Sequence, residues 1–271
     1  MNFILIDTSY LIFYRYFAIL QWWKHAKPDI ILPDNPIECE EFVEKFVKTF
    51  TESIQTIKRK LKIHKQENKI IAARDCHRKD IWRNSLYPKY KENRYKDDEF
   101  MGGDFFKLVY NDNLLLKAGA DEILKFPNLE GDDLIAITKN LIRSKYPDAC
   151  IYIIANDHDY LQLMDDNTNI INLKYKNLRE SKNVFDDPEK NLFYKIILGD
   201  KSDCITPVFN KCGPKTAEKY YNNKDELDKA LMKDNATELF NRNKKLVSFS
   251  EIPFDLVQNF IEKYKEVFDK L

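Results

Sequence analysis

Paired cysteines are missing from this chain. Its five cysteines, at positions 39, 76, 150, 204 and 212, form no CxxC motif and are odd in number. That argues against a disulfide framework or a cysteine-built zinc site and for free thiols in a reducing compartment. No apolar run reaches membrane-spanning length. The apolar N-terminus lacks a basic leader and is interrupted by Asp7 and Arg15, so it reads as a buried strand running into a helix rather than a signal peptide. Net charge is absent too: 44 Lys and Arg face 44 Asp and Glu. This excludes a uniformly basic nucleic-acid binder and a disordered polyelectrolyte, so any polyanion would have to meet a local positive patch. Internal repeats, low-complexity tracts and the GxxxxGK[ST] phosphate loop are also lacking.

What remains is an alternation of buried strands and amphipathic helices. Short apolar runs at 2–6, 69–73 and 150–155 read as strands buried on both faces. Weaker strands are expected at 120–124 and 169–173. Phe42, Phe46, Phe50, Ile54, Ile57 and Leu61 recur at helical spacing within 36–62. Further helices are expected over 103–118, with Gly119 as its stop, and over 131–145, ending before Pro147. The fold class is therefore α/β, an open and mostly parallel sheet flanked by helices. Beyond about residue 188 the strand signals stop and short helices take over, so the chain divides into 1–187 and a helical region at 188–271.

Carboxylates follow the strongest strands: Asp7, Asp75, and Asp157 with Asp159. In open parallel sheets the site lies at the carboxyl ends of the strands, so these acids share one edge. Glu130, Asp132 and Asp133 open the 131–145 helix, and Asp200 and Asp203 follow Gly199. Singly, each group could be a helix cap or a turn. Together they would repel one another unless cations compensate. Oxygen donors without His or Cys suit Mg²⁺, with Mn²⁺ able to substitute. Two such ions about 4 Å apart can serve phosphodiester hydrolysis.

Residues 76–96 carry seven Lys and Arg against two acids, with Trp82, Tyr87, Tyr90 and Tyr95 interleaved. Basic residues can track phosphates while aromatic faces stack on unpaired bases. A solvated basic loop whose aromatics pack on the body is the alternative. At Gly213-Pro214-Lys215-Thr216 a helix start offers backbone N–H groups and a lysine to a phosphate.

Seven stretches carry a family resemblance: LIDTSYLIF (5–13), AARD (72–75), YKENR (90–94), LEGDDLIA (129–136), IIANDHDYLQL (153–163), LGDKSDCI (198–205) and CGPKTAEKY (212–220). In this order the chain resembles the flap endonuclease and 5′→3′ exonuclease superfamily, whose sheet is PIN-like. The tail RNKKLVSFSEIPFDL (242–256) is similar to the closing segment of the phage RNase H branch. The resemblance implies a structure-specific 5′ nuclease that cuts DNA, or an RNA primer on DNA, at a 5′ end or flap. It assigns Asp7, Asp75, Glu130, Asp132 and Asp133 to a first metal and Asp157, Asp159, Asp200 and Asp203 to a second.

Lys91 and Arg94 match the pair that grips the scissile phosphate in a basic arch at 76–104. Arg78, Lys79, Trp82, Arg83, Tyr90, Gly213, Lys215 and Thr216 are the further expected nucleic-acid contacts. The 198–220 stretch resembles an element that binds the duplex backbone and often holds K⁺. Here it departs from the family pattern, with ITPVFNKCG in place of a Gly-rich turn. The implied setting is a monomer in the cytoplasm, or in the replication compartment of a host cell if the chain is viral. A replication clamp or a single-strand-binding protein is a further candidate partner. The alternatives are a PIN-type single-strand ribonuclease and a non-catalytic junction-binding protein.

Overall fold

The computed structural model describes residues 1–93 and 100–271. Five parallel strands form one sheet in the order β3-β2-β1-β4-β5. They are β1 (Asn2–Asp7), β2 (Asn68–Ala73), β3 (Glu122–Leu124), β4 (Cys150–Ile154) and β5 (Thr168–Ile171). The central register sets Asp7 beside Ala73 and Ile6 beside Ile154. Residues that follow β1, β2 and β4 therefore emerge at one edge.

The strands read as continuous apolar runs because both faces are covered. Phe3 and Leu5 of β1 face one side with Ile71, Ala73, Ile151 and Ile153. Ile4 and Ile6 face the other with Ile70, Ala72 and Ile154. On the Ile4 side lie α1 (Thr8–Ala26), α2 (Glu40–Lys60), α4 (Gly103–Asn111) and α5 (Leu114–Lys117). The helix expected over 103–118 is thus two helices. Asn113 adopts the left-handed conformation (φ 53°) between them, which an Asn tolerates and a continuing helix cannot.

On the Phe3 side lies α6 (Gly131–Lys145), joined by α11 (Phe254–Lys263) and α12 (Lys265–Asp269), which bring Phe260 and Phe268 into the same core. The helices α7 (Pro188–Leu198), α8 (Pro214–Asn222) and α9 (Lys224–Lys233) gather around a core of their own, with Tyr194, Ile197, Ala217, Leu227 and Leu231. Two short elements complete the frame. These are α3 (Arg83–Leu86) in the basic stretch and α10 (Thr237–Val247), whose Leu246 and Val247 pack with Cys76, Ile81 and Tyr90. The chain after residue 188 is helical and reaches back to the site edge of the sheet. Among the described residues no helix is long and apolar enough to cross a membrane.

Candidate active site

Asp7 closes β1 and caps α1, accepting the Tyr10 N–H at 2.9 Å and the Tyr160 hydroxyl at 3.0 Å. Asp75, two residues beyond β2, accepts from the Ser9 hydroxyl of α1 and from the Gly131 N–H, which opens α6. Gly131 is needed for that approach: a Cβ there would lie 3.0 Å from Asp75 Oδ1. Asp132 follows on the same helix start. Asp157, beyond β4, caps the short turn at His158–Leu163 by accepting the Asp159 N–H at 2.9 Å. The parallel sheet and one helix N-terminus thus bring Asp7, Asp75, Asp132 and Asp157 to one edge.

Their charges oppose one another. Burial, then Asp75, and more weakly Asp157 push the Asp7 carboxyl from 3.8 up to about 7. Burial followed by Glu130 and Asp133 raises the Asp132 carboxyl well above its ordinary range. Among the described residues, none of these four carboxylates has an ion-pair partner.

The remaining five acids have cations built into the fold. Arg83 is 1% exposed and donates through Nη2 to Asp133 Oδ1 at 2.7 Å and through Nη1 to Glu130 Oε2 at 2.9 Å. Its Nε donates to the Leu246 carbonyl at 2.8 Å, tying α3 to α10. Lys91 Nζ lies 2.6 Å from Glu130 Oε1 and 3.9 Å from Asp203. Burial alone would push the Glu130 carboxyl up, but Lys91 and Arg83 outweigh it and hold it at about 2. Burial disfavours the Arg83 and Lys91 cations in turn, yet their carboxylate neighbours raise both well above their ordinary values. On the far side, Lys195 of α7 bridges Asp159 and Asp200, standing 2.8 Å from Asp200. Burial is again outweighed there, with the Asp200 carboxyl at about 2.

The structure sets several of the expected contact residues inside the fold. Asp133 is fully buried, and its oxygens accept from Arg83, from Trp82 Nε1 at 3.0 Å and from the Glu130 N–H at 3.1 Å. Asp133 thus braces the start of α6 against α3. Trp82, Arg83 and Tyr90 are buried, not displayed to nucleic acid. The Tyr90 hydroxyl donates to Glu130 at 3.2 Å. Trp82 and Tyr90 have packed inward because their polar tips find carboxylates there. Lys91 is buried as well.

Arg94 lies outside the described residues. Arg78 is partly buried and donates to the Lys91 carbonyl, while Lys79 is exposed. Gly213 caps α8 in an extended conformation, with Lys215 exposed and Thr216 partly buried beside it. A cavity of about 570 Å³ runs from Lys195 and Asp200 to Pro214 and Lys215, joining the second acid group to that helix start.

Sequence reading missed Lys195. A signal for it exists: Lys195 is the basic residue in the last turn of the helix, four positions before Gly199 and the acids that follow it, where a cation also suits the helix end. It also missed the burial of Arg83, for which the local sequence carries no signal. The donor set of Asp7, Asp75, Asp132 and Asp157 contains only oxygen, is mutually repulsive and has no ion-pair partner among the described residues. All-oxygen donors of this kind suit a hard divalent cation, and among the described residues Glu130, Asp132 and Asp133 bring carboxylate oxygens within 4.8 Å of one another.

A family model, the 5′-3′ exonuclease N-terminal resolvase-like domain, matches residues 2–190. The chain belongs to the 5′-3′ exonuclease family. A 5′-3′ exonuclease of Mycoplasmopsis pulmonis is 30% identical over 253 residues, which cover 90% of this chain and 74% of that protein. The 5′-3′ exonuclease of Buchnera aphidicola subsp. Acyrthosiphon pisum is 28% identical over 220 residues, covering 72% and 74% respectively. The activity that follows is 5′-3′ exonucleolytic hydrolysis of phosphodiesters. Among solved structures, the phage T5 D15 protein co-crystallised with metal ions superposes with a TM-score of 0.68 at 19% identity, covering 99% of this exonuclease and 100% of that chain. The T5 D15 flap endonuclease in a pseudo-enzyme-product complex with DNA and metal ions gives 0.68 at 20% identity with the same coverage.

Proposed function

We propose that this exonuclease is a structure-specific 5′ nuclease that cuts at a 5′ end or flap where single strand meets duplex, on DNA or on an RNA primer paired to DNA. The observation that carries this reading is the set of four carboxylates, Asp7, Asp75, Asp132 and Asp157, which have no ion-pair partner among the described residues in a site whose other acids do. They would hold one divalent ion, Mg²⁺ or Mn²⁺. Asp159 and Asp200 would flank a second. When bound, such ions supply Lewis acidity for ionising water and stabilising the leaving oxygen.

The chain's own residues set the geometry. Ser9, Tyr160 and the Gly131 N–H fix the rotamers of Asp7 and Asp75, which is the support that precise ligand placement needs. Arg83 and Lys91 pair with Glu130 and Asp133 and offset part of the charge that these two acids place on Asp132. Lys91 sits at the base of the basic stretch, and with Arg94 it would offset charge on the phosphate undergoing attack. Lys215, Thr216 and the N–H groups at the start of α8 would hold a backbone phosphate of the duplex. The cavity that joins them to Asp200 gives the duplex a route to the acids.

The test is a comparison of 5′-flap, nicked, blunt and RNA-primed duplexes, each with Mg²⁺ or with EDTA, with products mapped from both ends. Cleavage confined to 5′ junctions and abolished by EDTA is expected. Equal release from 3′ ends would overturn the polarity, and full activity in EDTA would overturn the metal site.

A further inference from the structure

Lys195 is a feature of the site that the proposed chemistry does not use. It comes from the last turn of α7, and its ammonium lies between two carboxylates that arrive from different elements: Asp159 from the turn after β4, and Asp200 from the segment after Gly199. All three side chains are largely withdrawn from solvent, at 16%, 12% and 19% exposure. Gly199 enforces the arrangement. It closes α7 at φ 71°, and a Cβ there would lie 2.4 Å from the Ile205 carbonyl oxygen. The chain turns back sharply, pairs Asp200 with Ile205 and leaves the Asp200 carboxylate facing Lys195. Ser202 fixes the other oxygen through its N–H and hydroxyl at 2.7 Å and 2.6 Å. The Asp200 carboxylate is thus oriented by its own turn, and the lysine bridges it to Asp159.

We propose that Lys195 is an internal counter-cation that holds the second acid pair together and competes with a divalent ion for it. This rests on the metal reading above. The consequence is an inequality between the two ion sites. The Asp7, Asp75, Asp132 and Asp157 group has no cation of its own among the described residues and takes an ion readily. The Asp159 and Asp200 pair has one already, and admits a divalent ion only as Lys195 gives up its contacts. An arriving dication meets a net charge of minus one instead of minus two. At 4 Å and an effective dielectric of about 20, one unit charge is a large effect on affinity. Lys195 is therefore a positioning residue whose loss shows first in metal binding.

The experiment is a Mn²⁺ titration of the full chain without nucleic acid, with free Mn²⁺ followed by electron paramagnetic resonance. It is run on the wild type and on the Lys195→Met, Lys195→Gln and Lys195→Arg variants. Two classes of site are expected in the wild type, the second at least tenfold weaker. Lys195→Met and Lys195→Gln should tighten the second class about tenfold or more and leave the first within a few-fold. Lys195→Arg keeps the charge and should leave the second class weak. The neutral variants should also melt lower than wild type in EDTA and recover more on adding Mn²⁺. Two classes that are unchanged or weakened in folded neutral variants would overturn the counter-cation role alone. A single class in the wild type and every variant would overturn the two-ion reading and this inference with it.

Discussion

Arg83 stands in the most basic stretch of the chain and is nonetheless one of its most deeply buried side chains, held by Glu130, Asp133 and the Leu246 carbonyl. Removing one partner of a buried pair leaves the other charge uncompensated, at about 3–5 kcal/mol. Arg83→Ala should cost about that much stability by denaturant unfolding, and Arg83→Lys should recover only part of it, since a lysine cannot reproduce the forked contact. A loss below about 1 kcal/mol would mean that these contacts are dispensable. Charge in a sequence does not state its own exposure. The same residue type reads as a phosphate contact or a buried brace until the acids that meet it, here 47 and 50 positions away, are placed in space.

Asp7 offers the complementary case. The acid was legible from its position after a strand, while its electrostatics came from Asp75 and Asp157, which the fold supplies. Its carboxyl titrates near 7 in the folded chain against an ordinary value of 3.8. Between those values the folded state keeps a proton that the unfolded state has released. Metal-free stability therefore falls as pH rises through this window. Melting curves in EDTA should show that decline in the wild type, a shallower one in Asp7→Asn, and recovery of the wild type by Mg²⁺ above pH 7. Identical slopes for the two proteins would contradict the assignment.

Among the elements, the start of α6 is the most exacting. Its first residue must let Asp75 reach the backbone N–H while Asp132 points forward and Asp133 turns inward to Arg83. A methyl at Gly131 would force the Asp75 carboxylate to give by a few tenths of an ångström. Small displacements of positioning groups cost up to about a hundredfold in rate. Gly131→Ala should lower cleavage roughly 10- to 100-fold with little change in melting temperature, because alanine is at least as good a helix former there. Unaltered cleavage kinetics would show that the close approach is not required.

Strands buried on both faces and the capped helix at 131–145 were readable from apolar runs and turn residues. The break at Asn113 was not, because a single left-handed residue leaves the apolar periodicity on either side nearly intact. The inward packing of Trp82 and Tyr90 was also hidden, since interleaved aromatics and bases have the same spacing whether they meet a nucleobase or a carboxylate.

Across the whole molecule, one sheet order decides the chemistry. Parallel strands in the order β3-β2-β1-β4-β5 send Asp7, Asp75 and Asp157 to a common edge, and the final helices close the opposite face with Phe260 and Phe268. The open, mostly parallel sheet could be anticipated from the alternation of elements, but the strand order could not. Nor could the division of nine acids into four with no ion-pair partner among the described residues and five with one, because it depends on Arg83, Lys91 and Lys195 arriving from three separate segments.

That division is most directly tested by crystals soaked in Mn²⁺ at low concentration and measured at the manganese absorption edge. The expected result is a first anomalous peak bounded by Asp7, Asp75, Asp132 and Asp157, with Asp133 still bound to Arg83. A first peak on Asp133, or at the Asp159 and Asp200 pair with the four-carboxylate site empty, would contradict it.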